Sequence, residues 1–97
     1  MAQFIAIVRR DLEKFSEADF APLLEPEAER ARQMYAAGTV RTIYGRKDVP
    51  GAVLILEAAD MDAARRALQS LPLVEKGMLA IEQFCEIGPY RGFGPRG

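Results

Sequence analysis

Three glutamates in the segment LLEPEAERARQMY (23–35) are the first residues in this sequence that suggest acid–base chemistry. If the segment is helical, at 100° per residue, Glu25 and Glu29 face away from its apolar side. Glu27 falls within the apolar stripe, which comprises Phe20, Leu23, Leu24, Ala28, Ala31, Met34 and Tyr35. A carboxylate on a buried stripe is a candidate general base, because desolvation raises its pKa toward the useful range.

Pro26 leaves a second interpretation of Glu27 open. Proline is favoured in the first turn of a helix, where the helix dipole also favours carboxylates whatever their function. Glu27 would then be an ordinary first-turn residue, or a kink at Pro26 would rotate it out of the stripe. The pattern therefore predicts Glu27 as catalytic only if its side chain points inward.

Arg41 and Tyr44 are the candidate substrate-binding residues. Arg41 can bind a carboxylate through two parallel hydrogen bonds, and Tyr44 can shape a pocket or donate its hydroxyl. On a regular strand they point to opposite faces, so they share one pocket only if a bulge intervenes, which Gly45 would allow. Alternatively, Arg41 pairs with Glu82 or Glu86 on an adjacent strand or covers a dimer interface, and Tyr44 is a packing residue.

The composition excludes several kinds of chemistry. The chain of 97 residues has no histidine and one cysteine, Cys85, so imidazole-based triads, zinc sites and thiolate clusters are not expected. We therefore expect no metal site. A net charge of −1 gives no electrostatic footprint for nucleic acid.

The sequence also indicates where the protein works. Its opening apolar run is too short for a signal peptide, and no run approaches the ~20 residues of a membrane span. With an unpaired Cys85, these features predict a cytoplasmic protein that does not enter a membrane.

Six elements must position these residues. Strands are predicted at 3–9, 39–46, 52–58 and 78–87 from their alternating or β-branched patterns. A helix starts at the capping sequence Ser16-Glu17-Ala18-Asp19 and runs to Ala37 before Gly38, interrupted at Pro26. Asp60 caps a second helix over 61–71. Val49-Pro50-Gly51-Ala52 predicts a type II turn between the second and third strands.

The order β-α-β-β-α-β predicts a ferredoxin-like α+β fold, with a four-stranded antiparallel sheet and both helices on one face. The first and third strands are apolar on both faces, although two helices can cover only one face. A second copy packing sheet to sheet would cover the other, so we expect a homodimer of the dimeric α+β-barrel type. Residues 1–88 form the domain, and residues 89–97 are a Gly/Pro-rich arm that either drapes over a partner subunit or is disordered.

Two stretches, ERARQMYAAGTVRTIY (29–44) and LQSLPLVEKGMLAIEQF (68–84), resemble the muconolactone isomerase-like family of dimeric α+β barrels. The family typically has a glutamate early in its first long helix, which Glu27 matches, and a strand that begins like Gly38-Thr39-Val40-Arg41. Its second helix ends like Ser70-Leu71-Pro72-Leu73. The resemblance implies a cofactor-independent proton transfer on a small, anionic organic molecule.

The sequence departs from the family enzyme at two polar positions, where Ala28 and Thr42 stand in place of a lysine and a histidine. These differences argue against muconolactone itself as the substrate. The sequence is thus compatible with two classes of function. The first is an isomerase or lyase in which Glu27 shuttles the proton, Arg41 holds the carboxylate and Tyr44 contacts the ligand. The second is a non-catalytic ligand-binding or assembly protein with the same barrel.

Overall fold

The computed structural model describes residues 1–93, which form one four-stranded antiparallel sheet with all helices on one face. The strands are β1 (Ala2–Arg10), β2 (Val40–Gly45), β3 (Gly51–Ala58) and β4 (Leu79–Ile87), in the order β2-β3-β1-β4. The helices are α1 (Glu17–Phe20), α2 (Leu24–Ala36), α3 (Met61–Gln69) and α4 (Pro72–Glu75). This arrangement is the ferredoxin-like α+β fold that the sequence predicts.

The helix signals in the sequence correspond to real caps. The hydroxyl of Ser16 accepts the Asp19 N–H, and the Asp19 carboxylate accepts the Ser16 N–H in return. Asp60 Oδ1 accepts the Ala63 N–H at 2.8 Å and starts α3. Gly38 has φ +82° and follows the end of α2, a conformation that glycine adopts at little cost.

The first helical region divides earlier than predicted. A 3₁₀ turn over Ala21–Leu23 separates α1 from α2, and it contains Pro22 in its first turn. Proline lacks an N–H and clashes with the carbonyl four residues before it, so α1 cannot continue through Pro22. Pro26 lies within the first turn of α2, where its missing N–H costs nothing. The predicted interruption at Pro26 was therefore wrong in position by a few residues.

The main core lies between the sheet and the helices. The sheet contributes Phe4, Ala6, Val8, Val40, Leu54 and Leu56, and the helices and their connection contribute Met34, Ala64, Leu68 and Leu71. A smaller cluster of Phe20, Leu73 and Met78 packs at one end. The opposite sheet surface, which we call the open face, carries Ile5, Ile7, Val53, Ile55, Cys85 and Ile87, all partly exposed in this single chain.

Two details of the strands differ from the sequence prediction. A bulge in β4 lies at Glu82, because Ile7 pairs with Gln83 and Val8 with Ile81. Unbroken alternation predicts that Leu79 shares a face with Cys85 and that Phe84 lies on the other face. The bulge reverses the alternation, so Leu79 shares the helix-covered face with Phe84, and Cys85 does not. The predicted type II turn also fails, because Gly51 does not have positive φ and already belongs to β3.

No helix in the part of the chain that the structure describes is long and apolar enough to cross a membrane. After Ile87 the chain is irregular through Phe93, with the aromatic rings of Tyr90 and Phe93 exposed. The predicted arm over 89–97 extends past the described residues, and its role stays a prediction.

Candidate active site

A cavity of about 320 Å³ lies between α2, α4 and the sheet, at the end where β1 finishes and β3 and β4 begin. This volume is at the small end of the range for ligand pockets, which suits a single-ring molecule. Leu24 and Ile43 line the cavity and are more than 40% exposed. Its full lining is Val8, Arg10, Leu24, Glu27, Ala28, Ala31, Ile43, Gly51, Ala52, Leu54, Leu71, Leu73 and Leu79.

Glu27 presents its carboxylate to this apolar cavity. The residue lies in the first turn of α2, one position after Pro26, and its side chain is partly buried. Glu27 Oε1 accepts the backbone N–H of Leu73 at 2.9 Å. Among residues 1–93 no donor contacts Oε2, so one carboxylate oxygen is fixed and the other has no protein partner there. Both sequence interpretations of Glu27 thus describe it in part, because it is a first-turn residue that also faces inward.

Burial raises the pKa of the Glu27 carboxyl above its ordinary value of 4.5. The hydrogen bond from Leu73 acts in the opposite direction, because it stabilises the ionised form, but it is the smaller effect. No ion pair joins Glu27 to a cation in the described part of the chain, since the ion pairs there involve other carboxylates. The carboxylate is therefore poised to take up and release a proton at a higher pH than an exposed glutamate.

The Leu73 N–H that binds Glu27 comes from the first turn of α4. Such donors have no partner within their own helix, and Pro72, the first residue of α4, has no N–H to offer. Glu27 therefore also links α2 to α4. A structural function for this carboxylate coexists with its position in the cavity.

Arg10 is the other charged residue in the cavity lining, and the sequence interpretation missed it. It is the last residue of β1 and continues the helix-facing alternation of Phe4, Ala6 and Val8. Its guanidinium carbon lies 5.2 Å from the centre of the Phe20 ring, a cation–π distance. Extending the period-2 pattern of β1 by one step would have found it.

Arg41 and Tyr44 lie outside the cavity. A bulge in β2 between Val40 and Thr42 places both side chains on the open-face side of the sheet, so the required bulge exists at Arg41, not at Gly45. Arg41 Nε lies 3.5 Å from Glu57 Oε2, and Tyr44 pairs with Val53 and is 64% exposed. The predicted partners Glu82 and Glu86 are on β4, at the opposite edge of the sheet, and Arg41 pairs instead with Glu57 on the adjacent β3. The structure therefore does not bring Arg41 and Tyr44 to Glu27.

Within residues 1–93 no cluster of three or more His, Cys, Asp or Glu side chains is arranged to hold a metal ion. The charged residues of the cavity lining are Glu27 and Arg10, set among mostly apolar residues. Such an arrangement can bind a small organic ring and exchange a proton with it.

Comparison with models of known protein families finds no match, and comparison with curated proteins finds none either. Among solved structures, the chain is similar to 5-chloro-2-hydroxyhydroquinone dehydrochlorinase from Burkholderia phenoliruptrix AC1100, in complex with 2,5-dihydroxybenzoquinone. The TM-score is 0.64 at 16% identity, over 95% of this chain and 96% of the other. At this identity the likeness shows a shared ferredoxin-like α+β fold along the whole domain.

Proposed function

We propose that this protein is a cofactor-independent enzyme that moves a proton within a small organic molecule, in an isomerase- or lyase-type reaction, and that Glu27 is its general base. The observation that carries the proposal is the Glu27 carboxylate in an apolar cavity, with Oε1 held by the Leu73 N–H and Oε2 left for a ligand. Fixing one oxygen orients the other, which is what a proton-transfer group requires.

The raised pKa of Glu27 supports this role. A base that is too acidic takes protons poorly, and burial in the cavity moves this carboxyl toward the pH at which a cell operates. In the reaction we propose, Oε2 of ionised Glu27 accepts a proton from an acidic C–H or O–H of the bound molecule. The same carboxyl then returns the proton to another position or releases it to solvent.

The structural likeness supports the reaction class. A dehydrochlorinase in complex with a dihydroxybenzoquinone shows that this fold hosts chemistry on small oxygenated rings. The resemblance of the sequence to the muconolactone isomerase-like family suggests a related proton transfer. The cavity of about 320 Å³ is consistent with a ligand of this size.

We propose further that the protein works as a homodimer in the cytoplasm, its open faces packed together. Ile5, Ile7, Val53 and Ile55 form a contiguous apolar strip across two central strands of that face. An apolar strip of this kind is typical of an interface, because water is excluded from it on association. Arg41 and Tyr44 lie at the edge of this face, so the substrate-binding role predicted for them requires a ligand site at the dimer interface.

The hydrogen bond between Glu27 and Leu73 favours a second candidate function. If its main purpose is to link α2 to α4, the chain is a non-catalytic protein that binds small ligands or assembles through the same barrel. The two candidates differ in whether Glu27 exchanges a proton with a ligand.

Proton exchange in D₂O tests the proposal. The full chain is incubated with muconolactone and with 2,5-dihydroxybenzoquinone, and NMR follows deuterium incorporation at ligand carbons. We expect incorporation above the buffer rate with at least one of them. Glu27→Gln keeps the acceptor oxygen for Leu73 and removes the base, so it should reduce the enzymatic rate by about 100-fold or more.

Glu13→Gln is the matched control, because Glu13 is exposed and outside the cavity. It should leave the rate unchanged. The proposal fails if Glu27 titrates by carboxyl-resolved NMR at or below 4.5, or if Glu27→Gln exchanges deuterium as fast as the unmodified chain. Ligand binding without exchange would favour the second candidate.

A further inference from the structure

Arg10 is a charged residue of the cavity lining, and most of its side chain is buried. It follows Val8 on the helix-facing side of β1 and pairs with Leu79 across the sheet. Its side chain is 26% exposed, and the Phe20 ring lies beneath the guanidinium. Contact with the Phe20 ring restricts the guanidinium but does not use its N–H donors, which lie in the plane of the guanidinium.

The donors of Arg10 are largely unused within the described residues. Its guanidinium makes no hydrogen bond there, and its one ion pair, Nη1 to Glu17 Oε2, spans 3.8 Å. The Glu17 side chain is 75% exposed, so this pair is weak and screened. Arg46 provides a contrast, because it is buried to a greater extent and is held by carboxylates of both Asp48 and Glu82.

A mostly enclosed arginine with unsatisfied donors at the edge of an apolar cavity is suited to bind an anion. Arginine presents a planar fork of N–H groups that matches a carboxylate or a pair of ionised ring oxygens. Glu27 is the acid–base group of the same cavity, and no ion pair connects it to Arg10 in residues 1–93. A ring between them would place its anionic group at Arg10 and its exchangeable proton toward Glu27.

We propose that Arg10 is the residue that selects anionic ligands in this cavity, and that Glu17 weakens this selection by competing for the guanidinium. The ligand class is a small ring that carries a carboxylate or an ionised hydroxyl. The proposal rests on the ligand cavity of the proposed function and assigns to Arg10 the anion-holding role that the sequence suggested for Arg41.

Benzoate and benzamide make a matched pair of probes, because they share a ring and differ in charge. Their dissociation constants for the full chain are measured by NMR at pH 7 and low salt. We expect benzoate to bind about tenfold or more tightly than benzamide. Arg10→Gln should remove this preference by weakening benzoate alone, and Arg10→Lys should retain part of it.

Two further variants separate the roles. Glu17→Gln should strengthen benzoate binding by about two- to fivefold, the range expected on removing an exposed competing charge, and leave benzamide unchanged. Arg66→Gln removes an exposed arginine of α3, outside the cavity and away from the open face, and should change neither constant. Circular dichroism of each variant verifies that the fold is retained.

The outcomes distinguish this inference from the proposed function. Equal binding of the two probes, no binding of either at millimolar concentration, or an unchanged benzoate constant in Arg10→Gln and Arg10→Lys would overturn the role of Arg10. Ala31→Leu, which adds bulk to the cavity wall, should weaken both probes. If it weakens neither, the probes bind outside this cavity, and that result would contradict the proposed function's assignment of the cavity as the ligand site.

Discussion

At the level of a single residue, two opposing effects act on the pKa of Glu27. Burial penalises its charged form, whereas the Leu73 N–H favours that form. The balance leaves a carboxyl whose pKa is raised although one of its oxygens is hydrogen-bonded. A residue that only linked helices would gain most from a fully ionised carboxylate.

The raised pKa of Glu27 predicts a pH-dependent stability. The pKa of Glu27 is higher in the folded chain than in the unfolded chain, where it is near 4.5. Such a group contributes its full stabilisation at pH values below the unfolded-state pKa, and this contribution is lost as pH rises through the folded-state pKa. Glu27→Gln stays neutral and keeps the acceptor for Leu73. The free energy of unfolding of the variant minus that of the unmodified chain should therefore be larger at pH 7 than at pH 4.

Urea unfolding of both chains across this pH range measures the difference in free energy. Glu13→Gln, on an exposed side chain, should show no such trend. A difference between Glu27→Gln and the unmodified chain that is constant with pH, or that falls as pH rises, would contradict the raised pKa.

The sequence pointed to Glu27 because helical periodicity alone places it on the apolar stripe. Its contact with Leu73 joins residues 46 positions apart, which no local pattern encodes. Arg41 was predicted to bind the substrate because arginine can hold a carboxylate and because Gly38-Thr39-Val40-Arg41 matches the start of a strand in the family that the sequence resembles. The period-2 alternation of β1 contained the better signal, but it had to be followed to the last residue of the strand.

At the level of elements, the strand positions and the helix starts capped by Ser16 and Asp60 followed from local chemistry, and the registers of the strands did not. Caps, β-branched runs and Gly38 mark where elements begin and end, so the four strands agree to within a residue or so. A bulge is one extra residue whose position depends on the partner strand, and neither Arg41 nor Glu82 carries a local mark of it. Face assignments past each bulge therefore could not be read from the sequence.

At Gly51 the backbone of β1 leaves no room for a side chain on β3. A Cβ atom there would lie 2.2 Å from the carbonyl oxygen of Val8 and 2.9 Å from the Cα of Arg9. The Arg46 side chain also passes over Gly51, with its Cδ 3.1 Å from the same point, on its way to Glu82. The glycine is needed for space, since its φ is not positive.

Gly51→Ala should destabilise the fold by about 3 kcal/mol or more, because the clashing atoms are backbone and cannot rotate away. Gly45→Ala is the matched control at the neighbouring end of β2, where an added Cβ meets no atom within 4 Å. It should change stability by less than about 1 kcal/mol. Urea unfolding compares the two variants, and equal stabilities would show that β1 and β3 are not packed as closely as described.

At the level of the whole molecule, the sheet separates a covered face from the open face. The helices bury Phe4, Ala6 and Val8 almost completely, whereas the intervening Ile5 and Ile7 stay partly exposed. Both sets are apolar, so the strands are built for burial on two sides. Charged groups border the open face: Arg41 with Glu57 at one edge, and Arg9 and Arg46 with Glu82 toward the other. An apolar centre with a charged border is the usual anatomy of an interface.

Ile55→Lys tests whether a second copy covers this face. Ile55 pairs with Ile5 at the middle of the open face, where a lysine ammonium would have to be desolvated on association. We expect the unmodified chain to sediment as a dimer and Ile55→Lys as a monomer at the same concentration in analytical ultracentrifugation.

Tyr35→Lys is the control, because Tyr35 is exposed on α2, on the helix side of the sheet, and its replacement should leave the dimer intact. Circular dichroism separates dissociation from unfolding. An unmodified chain that sediments as a monomer, or an Ile55→Lys variant that stays dimeric, would show that the open face is not the surface through which two copies associate.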